Sequence, residues 1–404
     1  MVITGLGVIA ASGAGKEALG RALAEGVAFG ATVNREAGYH RRGGSRLAAL
    51  AGGVDLSPLL PAGAARRMSP PSRMAVAAAR LAVRDAGLVE ADPEFADTAV
   101  VAATAFGPAF YTEKLLAAIL ETGPETASPA IFTESVASAA ASQVAIALRA
   151  RGASLTVTQR EAGPLVALAE GARLLRLGRA RRVLVGVVEE MTPLLHAVLD
   201  RFHALARADA SGEETARPFD RSRDGFRAAE GSCFVVLERA GEARARGARP
   251  LCRVAAAFSA FDPTATALDW GRGGAELAGA LERGLERAGI ALGAIDRVVS
   301  GASGAVAGDR LEAAVLRRLW HGGVLPPVLA PKAVVGEYSG AALAAAVLAA
   351  GGLSFGATPG FREVDPELGI VPHDGSPLAP PAGVLTSALA AGGAAAWAVL
   401  AAAE

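Results

Sequence analysis

The sequence has few of the residues that build disulfide frameworks and metal sites. Its 404 residues include five histidines and two cysteines, Cys233 and Cys252. Both cysteines lie in apolar runs, so we expect buried, unreactive thiols in strands rather than a disulfide framework. The histidines, among them His40, show no paired spacing with cysteines or acids, and we therefore expect no metal site.

The sequence also lacks an excess of charge and a segment that would direct it to a membrane. Forty basic and forty acidic residues give a formal net charge of zero, so no overall field favours nucleic acid or an anionic membrane. Residues 1–5 have neither the basic region nor the long apolar stretch of a signal peptide. The alanine-rich segment 385–403 is interrupted by Gly392 and Gly393, and we interpret it as two buried strands around a turn. We therefore expect a cytoplasmic protein without a membrane span.

Apolar residues are abundant instead, since 52% of the chain is hydrophobic and 20% is charged. A chain of this length and composition is expected to bury a large core in two domains or two half-domains. It is also expected to cover further apolar surface against another subunit.

Apolar, strand-like runs alternate with segments rich in alanine, leucine and arginine, a pattern typical of βαβ units in a sheet covered on both faces. The first series of predicted elements comprises a strand at Met1–Thr4, a helix at Lys16–Ala24, a strand at Thr98–Thr104, a helix at Thr112–Leu120, a strand at Leu155–Thr158, a helix at Pro164–Leu177 and a strand at Arg182–Val188. The second series comprises a strand at Leu251–Ala256, a helix at Ala275–Ala288, a strand at Arg297–Ser300, helices at Arg310–Trp320 and Gly340–Ala350, and strands at Val384–Leu389 and Ala394–Leu400.

The two series begin in the same way, which indicates an internal duplication. Each opens on a strand and has a turn of small residues after its second strand, at 105–107 and at 301–304. The charged segment 241–250 connects them. The predicted domains are therefore 1–241 and 242–404.

Residues 155–168 predict a strand, a tight turn and the start of a helix. This arrangement presents one side chain at a helix N-terminus, where backbone N–H groups and the helix dipole favour a thiolate or an oxyanion. The side chain in that place is Glu161. A carboxylate can accept those hydrogen bonds, but it is a poor nucleophile toward acyl carbon. We predict that Glu161 is a deliberate non-catalytic residue, and the alternative is an ordinary acid in the first turn of a helix.

Five stretches, in the order of one family, are similar to the β-ketoacyl synthases, condensing enzymes that build fatty acids and polyketides. They are residues 2–8, 72–75, 135–143, 217–226, and 230–231 with 235–238. The segment 217–226, Arg-Pro-Phe-Asp-Arg-Ser-Arg-Asp-Gly-Phe, is the most specific of them. The resemblance covers nearly the whole chain. It implies an α/β, thiolase-like fold of two similar halves in an α-β-α-β-α arrangement.

On the family pattern, the positions of all three catalytic residues hold other residues. Glu161 occupies the position of the nucleophilic cysteine. Gly301 opens the turn that the family begins with its first catalytic histidine, and Glu337 ends the run from Lys332 in which the family has its second. Thioester exchange needs a thiolate, and decarboxylation of a malonyl unit needs donors to the developing enolate oxygen. The resemblance therefore implies that both halves of the reaction are disabled.

The polar surroundings of the family's site are matched better than its catalytic residues. Asp309, Glu312 and Lys332 match polar positions there, and Lys332 with Glu312 is expected to be a buried structural pair rather than an acid–base couple. The family's Gly-Phe-Gly-Gly-x-Asn turn, whose phenylalanine gates the site, corresponds to residues 390–395, Ala-Ala-Gly-Gly-Ala-Ala. The glycine turn is present and the gate is absent.

Phe132, Val136 and Ala137 fall in a region that, in this family, lies near the dimer interface and the acyl tunnel. We therefore interpret them as tunnel or interface residues, and core packing is the alternative. The distinction matters because a tunnel floor limits how long a chain can grow.

Relatives without the nucleophile resemble chain length factors, the second subunits of type II polyketide synthases. By this resemblance the chain has no activity alone, uses no cofactor, and forms a heterodimer with a catalytic ketosynthase. It would shape the acyl tunnel for a chain that an acyl carrier protein bears on phosphopantetheine. Many chain length factors have glutamine where this chain has Glu161, so a polyene-type product, such as an aryl polyene, is predicted beside an aromatic one. The alternatives are a malonyl carrier protein decarboxylase, which would initiate chains, and a ketosynthase-like scaffold with no synthase role.

Two further patterns have plainer explanations. Residues 5–10 imitate a dinucleotide-binding fingerprint, but no second strand ends in an acid about 20 residues later, so NAD is not expected. Arginines cluster at the end of the helix after Glu161, namely Arg173, Arg176, Arg179, Arg181 and Arg182. We interpret most of them as a solvated helix face and partners of the helix dipole, and the alternative is a landing site for an acidic carrier protein.

Overall fold

The computed structural model describes residues 1–35, 44–90 and 93–403. Its strands are β1 (Val2–Ala10), β2 (Gly13–Ala14), β3 (Ala31–Thr32), β4 (Leu47–Ala49), β5 (Thr98–Ala103), β6 (Ser154–Val157), β7 (Arg182–Glu189), β8 (Ala228–Ala229), β9 (Gly231–Glu238), β10 (Cys252–Phe261), β11 (Arg297–Val299), β12 (Val328–Leu329), β13 (Val384–Leu389) and β14 (Ala394–Ala401). Its α-helices are α1 (Lys16–Glu25), α2 (Ala62–Ala65), α3 (Pro70–Asp85), α4 (Ala109–Thr122), α5 (Pro129–Ser135), α6 (Ala139–Leu148), α7 (Gly163–Arg176), α8 (Pro193–Arg201), α9 (Ala240–Ala245), α10 (Gly274–Arg287), α11 (Val306–Leu319), α12 (Lys332–Val335) and α13 (Gly340–Ala350).

The first strand is longer than predicted because it continues through two glycines to Ala10. A Cβ on Gly5 would lie 2.1 Å from the carbonyl oxygen of Ala82, and one on Gly7 would lie 1.9 Å from that of Ala78. Both carbonyls belong to α3, so the glycines let this helix pack directly on the strand backbone. This close packing accounts for the spacing that imitates a nucleotide-binding fingerprint.

One mixed sheet runs through the described part of the chain in the order β12-β11-β13-β14-β10-β1-β9-β7-β5-β6, with β2 paired to β1. Its halves meet where β1 pairs with β10 at Val2 and Ile3. With β2 set aside, each half places its first, fifth, fourth, second and third strand in that order outward from the junction. The repeated order agrees with an internal duplication. The proposed boundary between residues 241 and 242 lies within α9 and stays a prediction.

Helices cover both faces of each half of the sheet. On the first half, Val100 and Ala102 of β5 face a core shared with α3 and α6, whereas Val101 and Ala103 face a core shared with α7 and α13. The same two central helices pack on strands of the second half, whose opposite face is covered by α10 and α11. The strands buried on both faces are apolar along most of their length, as the sequence pattern indicated. The predicted α-β-α-β-α arrangement of a thiolase-like fold is confirmed.

Cys233 and Cys252 are buried in β9 and β10, and burial raises the pKa of each thiol to about 12. The prediction of unreactive strand cysteines is confirmed. His40 lies outside the described residues. Among the residues that the structure describes, no group of three or more His, Cys, Asp or Glu side chains could hold a metal ion.

A helix that crosses a bilayer needs about 20 predominantly apolar residues. No single one of the described helices is long and apolar enough to cross a membrane. Helices α5 and α6 are long and apolar enough only when taken together, and a bend of 99° lies between them.

Candidate functional site

Glu161 lies on a sharp turn between β6 and α7, as predicted. The turn is a short 3₁₀ helix, Arg160–Ala162, in which Arg160 has a φ of 47°. Pro164 follows in the first turn of α7, where the missing N–H of proline costs no hydrogen bond. The Glu161 side chain is half-buried, and among the described residues its Oε2 atom has no hydrogen-bond partner. The turn therefore presents a carboxyl group with an unsatisfied oxygen.

The second substituted position, Glu337, is occupied by an ion pair with Lys332. The Lys332 ammonium lies 2.7 Å from Glu337 Oε1 and 2.8 Å from Oε2, and Lys332 is 2% exposed. The direct partner of Lys332 is therefore Glu337 and not Glu312 as predicted, although the lysine charge opposes the rise that burial causes in the pKa of Glu312. Glu312 Oε1 accepts instead from the Ser300 hydroxyl at 2.8 Å, from the Gly301 N–H at 3.1 Å and from the Ser387 hydroxyl. Lys332 thus binds Glu337, the carboxylate nearer to it in sequence, and neutral donors satisfy the Glu312 carboxylate.

The third substituted position, Gly301, has no room for a side chain. A Cβ placed there would lie 2.8 Å from the carbonyl oxygen of Ser387 and 3.3 Å from the Cα of Ala388. Both neighbours are backbone atoms of β13, which also packs against the turn that carries Glu161. The position of the family's first histidine therefore lacks the imidazole, and the backbone of β13 occupies the space that a side chain would need.

The electrostatics of the site follow from a shortage of cations. Burial raises the pKa of Glu161 to about 7, and the Glu337 carboxylate adds to the rise while the Lys332 ammonium opposes it. Burial likewise raises the pKa of Glu189 to about 8. Lys332, which is paired with Glu337, thus compensates Glu161 only in part, and Glu161 carries its proton part of the time near neutral pH.

Glu189, at the end of β7, is a site residue that the sequence reasoning missed. Its Oε1 accepts from the Ala105 N–H at 2.7 Å and from the Ser339 hydroxyl at 2.9 Å. It thereby joins the loop after β5 to the start of α13. The available signal was an acid at the end of a strand that is otherwise apolar in sequence.

Asp309 has a structural role in holding two turns together. Its Oδ1 accepts from the N–H groups of Ser303 and Gly304 at 3.1 and 3.2 Å, and its Oδ2 accepts from the Phe219 N–H at 2.8 Å. Phe219, in the 217–226 segment, has a φ of 63°. The carboxylate therefore fixes the Gly301 turn against a strained loop.

The turn that lacks the family's gate is covered by the 262–270 loop. The Gly392 N–H donates to the Asp269 carbonyl at 3.0 Å, and a Cβ on Gly393 would lie 2.6 Å from the Asp262 carbonyl oxygen. The same loop accepts a hydrogen bond from Arg160, at 3.2 Å to the carbonyl of Ala267. The loop thus contacts both the 390–395 turn, which lacks the gating phenylalanine, and the turn that carries Glu161.

Two of the tunnel candidates are exposed rather than packed in the core. Phe132 on α5 is 58% exposed, and Val136 after it is 39% exposed. Ala137 is half-buried and lines a void of about 10 Å³ with Gly107 and Val188. Core packing is therefore excluded for Phe132 and Val136, and the void beside Ala137 is too small for an acyl chain.

Phe132 and Val136 are two of several exposed apolar side chains on β6 and on the elements linked to it by contacts, and we call this group the β6 face. Its exposed side chains are Phe106, Phe110, Leu116, Leu120, Phe132, Val136, Ile146 and Leu155. Within the described part of the chain, β6 pairs with β5 on one side and with no strand on the other. An apolar surface beside a free strand edge is typical of a protein interface.

The arginines at the end of α7 have different surroundings. Arg173 is exposed and bonds to Glu170 at 2.7 and 2.8 Å, as expected for a solvated helix face. Arg182 is buried and pairs with Glu238 at 3.5 Å, so it is not part of that face.

Known proteins resemble this chain along most of its length. The family model described as "Beta-ketoacyl synthase, N-terminal domain" matches residues 1–243. The tetracenomycin polyketide synthase ketoacyl synthase alpha subunit of Streptomyces glaucescens is 30% identical over 387 residues, 91% of this chain and 88% of that protein. The corresponding beta subunit is 30% identical over 353 residues, 85% of this chain and 82% of that protein.

The fold is matched as well. The solved structure described as "The ishigamide ketosynthase/chain length factor" is 27% identical, with a TM-score of 0.88 over 100% of this chain and 99% of that one. A family match over more than half of the sequence, together with these relatives, shows that the chain belongs to the β-ketoacyl synthase family and has the thiolase-like fold of type II polyketide synthase subunits.

Proposed function

We propose that this protein is a non-catalytic chain length factor, which pairs with a catalytic ketosynthase and shapes the acyl tunnel to control polyketide or polyene chain length. The observation that carries the proposal is the joint loss at three positions. A carboxyl group replaces the nucleophile at Glu161, β13 fills the space at Gly301, and Glu337 is bound to Lys332. A single substitution could be compensated, but three leave neither a nucleophile nor enolate donors.

The β6 face supports the pairing. A partner strand laid against β6 would satisfy the backbone groups of its free edge and extend the sheet into the second subunit. Phe132 and Val136 would then be covered by the partner rather than by solvent. Side chains at such a boundary can line a tunnel that belongs to both subunits.

The acyl carrier protein completes this scheme. It would deliver the growing chain on phosphopantetheine to the partner's nucleophile, and the distal end of the chain would reach the side chains contributed by this subunit. The aromatic or polyene class of the product and the cytoplasmic location both stay predictions.

Co-expression with a catalytic ketosynthase encoded by a neighbouring gene, where one is found, tests the proposal. We expect a heterodimer that extends carrier-bound chains, and no acyl adduct by intact mass when the isolated chain is incubated with malonyl and acyl carrier protein. The catalytic partner, which should become acylated, is the positive control. The mass of the carrier-bound products then shows whether they are aromatic or polyene.

Other outcomes would replace the proposal with one of its alternatives. Acetyl carrier protein formed from malonyl carrier protein by this chain alone would favour the decarboxylase. A homodimer that ignores the ketosynthase would favour the scaffold. An acyl adduct on the isolated chain would mean that the loss of the nucleophile has been misread.

A further inference from the structure

Helix α5 is attached to the rest of the molecule through a carboxylate. Among its seven residues, all of which the structure describes, Glu134 is the one that is buried. Glu134 Oε2 accepts from the Ser69 N–H and from the Ser72 hydroxyl, both at 2.8 Å, and Oε1 accepts from the Gln143 amide at 2.6 Å. These donors belong to α6 and to the N-terminus of α3, where Ser69 is the N-cap and negative charge is favoured.

Apolar packing contributes little to holding this helix. A helix of seven residues is too short to be stable without tertiary contacts. The neighbouring α4 packs against it, yet the residues of α4 are all half-buried or exposed. The position of the α4–α5 hairpin therefore depends strongly on the hydrogen bonds of Glu134.

Helix α5 borders two neighbouring spaces. Phe132 belongs to the β6 face, where it is 58% exposed. The other space is a cleft of about 710 Å³, lined by Ile131 and Glu134 of α5, by Met68 and Val76 near or on α3, and by Ala147 of α6. A cleft of this volume is in the range of pockets that hold small-molecule ligands. Ile146 of the β6 face also lines the cleft, whereas Phe132 does not, so α5 forms one wall of the cleft and carries Phe132 at the β6 face.

We propose that Glu134 is the positioning residue of this wall. By fixing α5 it holds Phe132 at the distal end of the shared tunnel, and the cleft behind α5 is space that a longer acyl chain could use if the wall moved. This inference rests on the proposed function, because it assigns a cause to the chain length that the heterodimer would set. It assigns no contact between Glu134 and the acyl chain.

The test compares carrier-bound products of heterodimers that contain single variants of this subunit. Phe132→Ala removes the side chain at the tunnel end, and Glu134→Ala removes its anchor. We expect both to shift the products toward longer chains by at least one extension unit. Glu134→Gln keeps an oxygen acceptor for Ser69 and Ser72, and is expected to restore most of the wild-type length. Glu125→Ala, an exposed glutamate in the turn before α5, is the matched control and should change nothing.

Heterodimer yield and melting temperature are measured beside product length, because a merely structural residue would change the first two alone. If Glu134→Ala fails to assemble, Gln143→Ala removes one donor and leaves the carboxylate in place, and it should lengthen the products by a smaller fraction. Wild-type lengths from the Glu134 and Gln143 variants, with longer products from Phe132→Ala, would overturn this inference and leave the proposed function standing. Unchanged lengths from all variants in an intact heterodimer would overturn both.

Discussion

At the scale of single residues, Glu161 is costly to the fold because its charge is poorly compensated. Its Oε2 is buried without a partner among the described residues, and Lys332 is already engaged by Glu337. Its pKa rises from an ordinary 4.5 to about 7, chiefly through burial. A neutral carboxylic acid has nearly the shape of the glutamine amide that many chain length factors carry at this place.

This comparison gives a pH-dependent prediction for Glu161→Gln. The folded state of the wild type holds its proton more tightly than the unfolded state, so its stability falls as pH rises from 4.5 to about 7, and the loss is complete above that value. At about 1.4 kcal/mol per pKa unit, the loss is about 3 to 4 kcal/mol at most. The glutamine variant has no such loss, and urea unfolding should find it more stable than wild type at pH 8 and much closer at pH 5.

An exposed acid provides the comparison. Glu121→Gln, on the surface of α4, should give the same difference from wild type at both pH values. A Glu161→Gln variant whose unfolding free energy follows the wild type across this range would show that the carboxyl group is not strained by burial.

Gly301 gives a second prediction at this scale. Gly301→His should destabilise the protein by about 1–3 kcal/mol, a typical cost of overpacking, because its Cβ would press on the Ser387 carbonyl. Gly293→His is the control, since a Cβ at Gly293 meets nothing within 4 Å. Thermal unfolding measures both.

Condensation should be absent from Glu161→Cys alone and from the triple variant Glu161→Cys, Gly301→His and Glu337→His.

The sequence was sufficient to locate the substituted positions but not to describe them. Glu161, Gly301 and Glu337 could be placed because the surrounding motifs keep their order along the chain. The closure at Gly301 depends on contact with β13, which is remote in sequence. The partner of Lys332 depends on the exact path of the turn that leads to Glu337. Glu189 was missed because an acid at the end of an apolar run does not show by itself that it is buried, which here depends on contacts with Ala105 and Ser339.

At the scale of elements, apolar runs predicted the regular structure where burial is two-sided. Helix Gly340–Ala350 and strand Val384–Leu389 have the predicted bounds. Helix α5 was not predicted, because its buried residue is a carboxylate and the segment has no apolar periodicity. The predicted β1 was too short because glycines lower the strand propensity of its second half. The close packing of α3 on these glycines explains why the strand continues through them.

The packing of α3 on β1 gives a prediction for Gly7→Ala. The added methyl group would meet a helix carbonyl at 1.9 Å, so either β1 or α3 must move. We expect a loss of about 3 kcal/mol, the upper end of overpacking costs. Gly53→Ala, with nothing within 4 Å of the added Cβ, should change the unfolding free energy by less than about 0.5 kcal/mol. Equal costs for the two variants would mean that β1 and α3 are not closely packed.

At the scale of the whole molecule, the two halves share a strand order but differ at their outer edges. The second half ends in the short β12, which forms a further bridge from Val328 to Pro372. The first half ends in β6, bordered by the exposed apolar side chains of the β6 face. The sequence predicted that apolar surface would be covered by a subunit, but its location depends on which edge the tertiary structure leaves open.

Leu155→Asp tests the location of this interface. Leu155 lies on β6 and is 36% exposed, so a charge there should be tolerated by the isolated subunit but would be buried without a partner in the heterodimer. We expect at least a tenfold loss of affinity for the ketosynthase, measured by co-purification and size-exclusion chromatography. Val324→Asp makes the same chemical change at a 90% exposed position in the second half and should leave assembly intact. If Leu155→Asp assembles as well as Val324→Asp does, the partner must bind elsewhere, and the exposure of Phe132 and Val136 would then need another explanation.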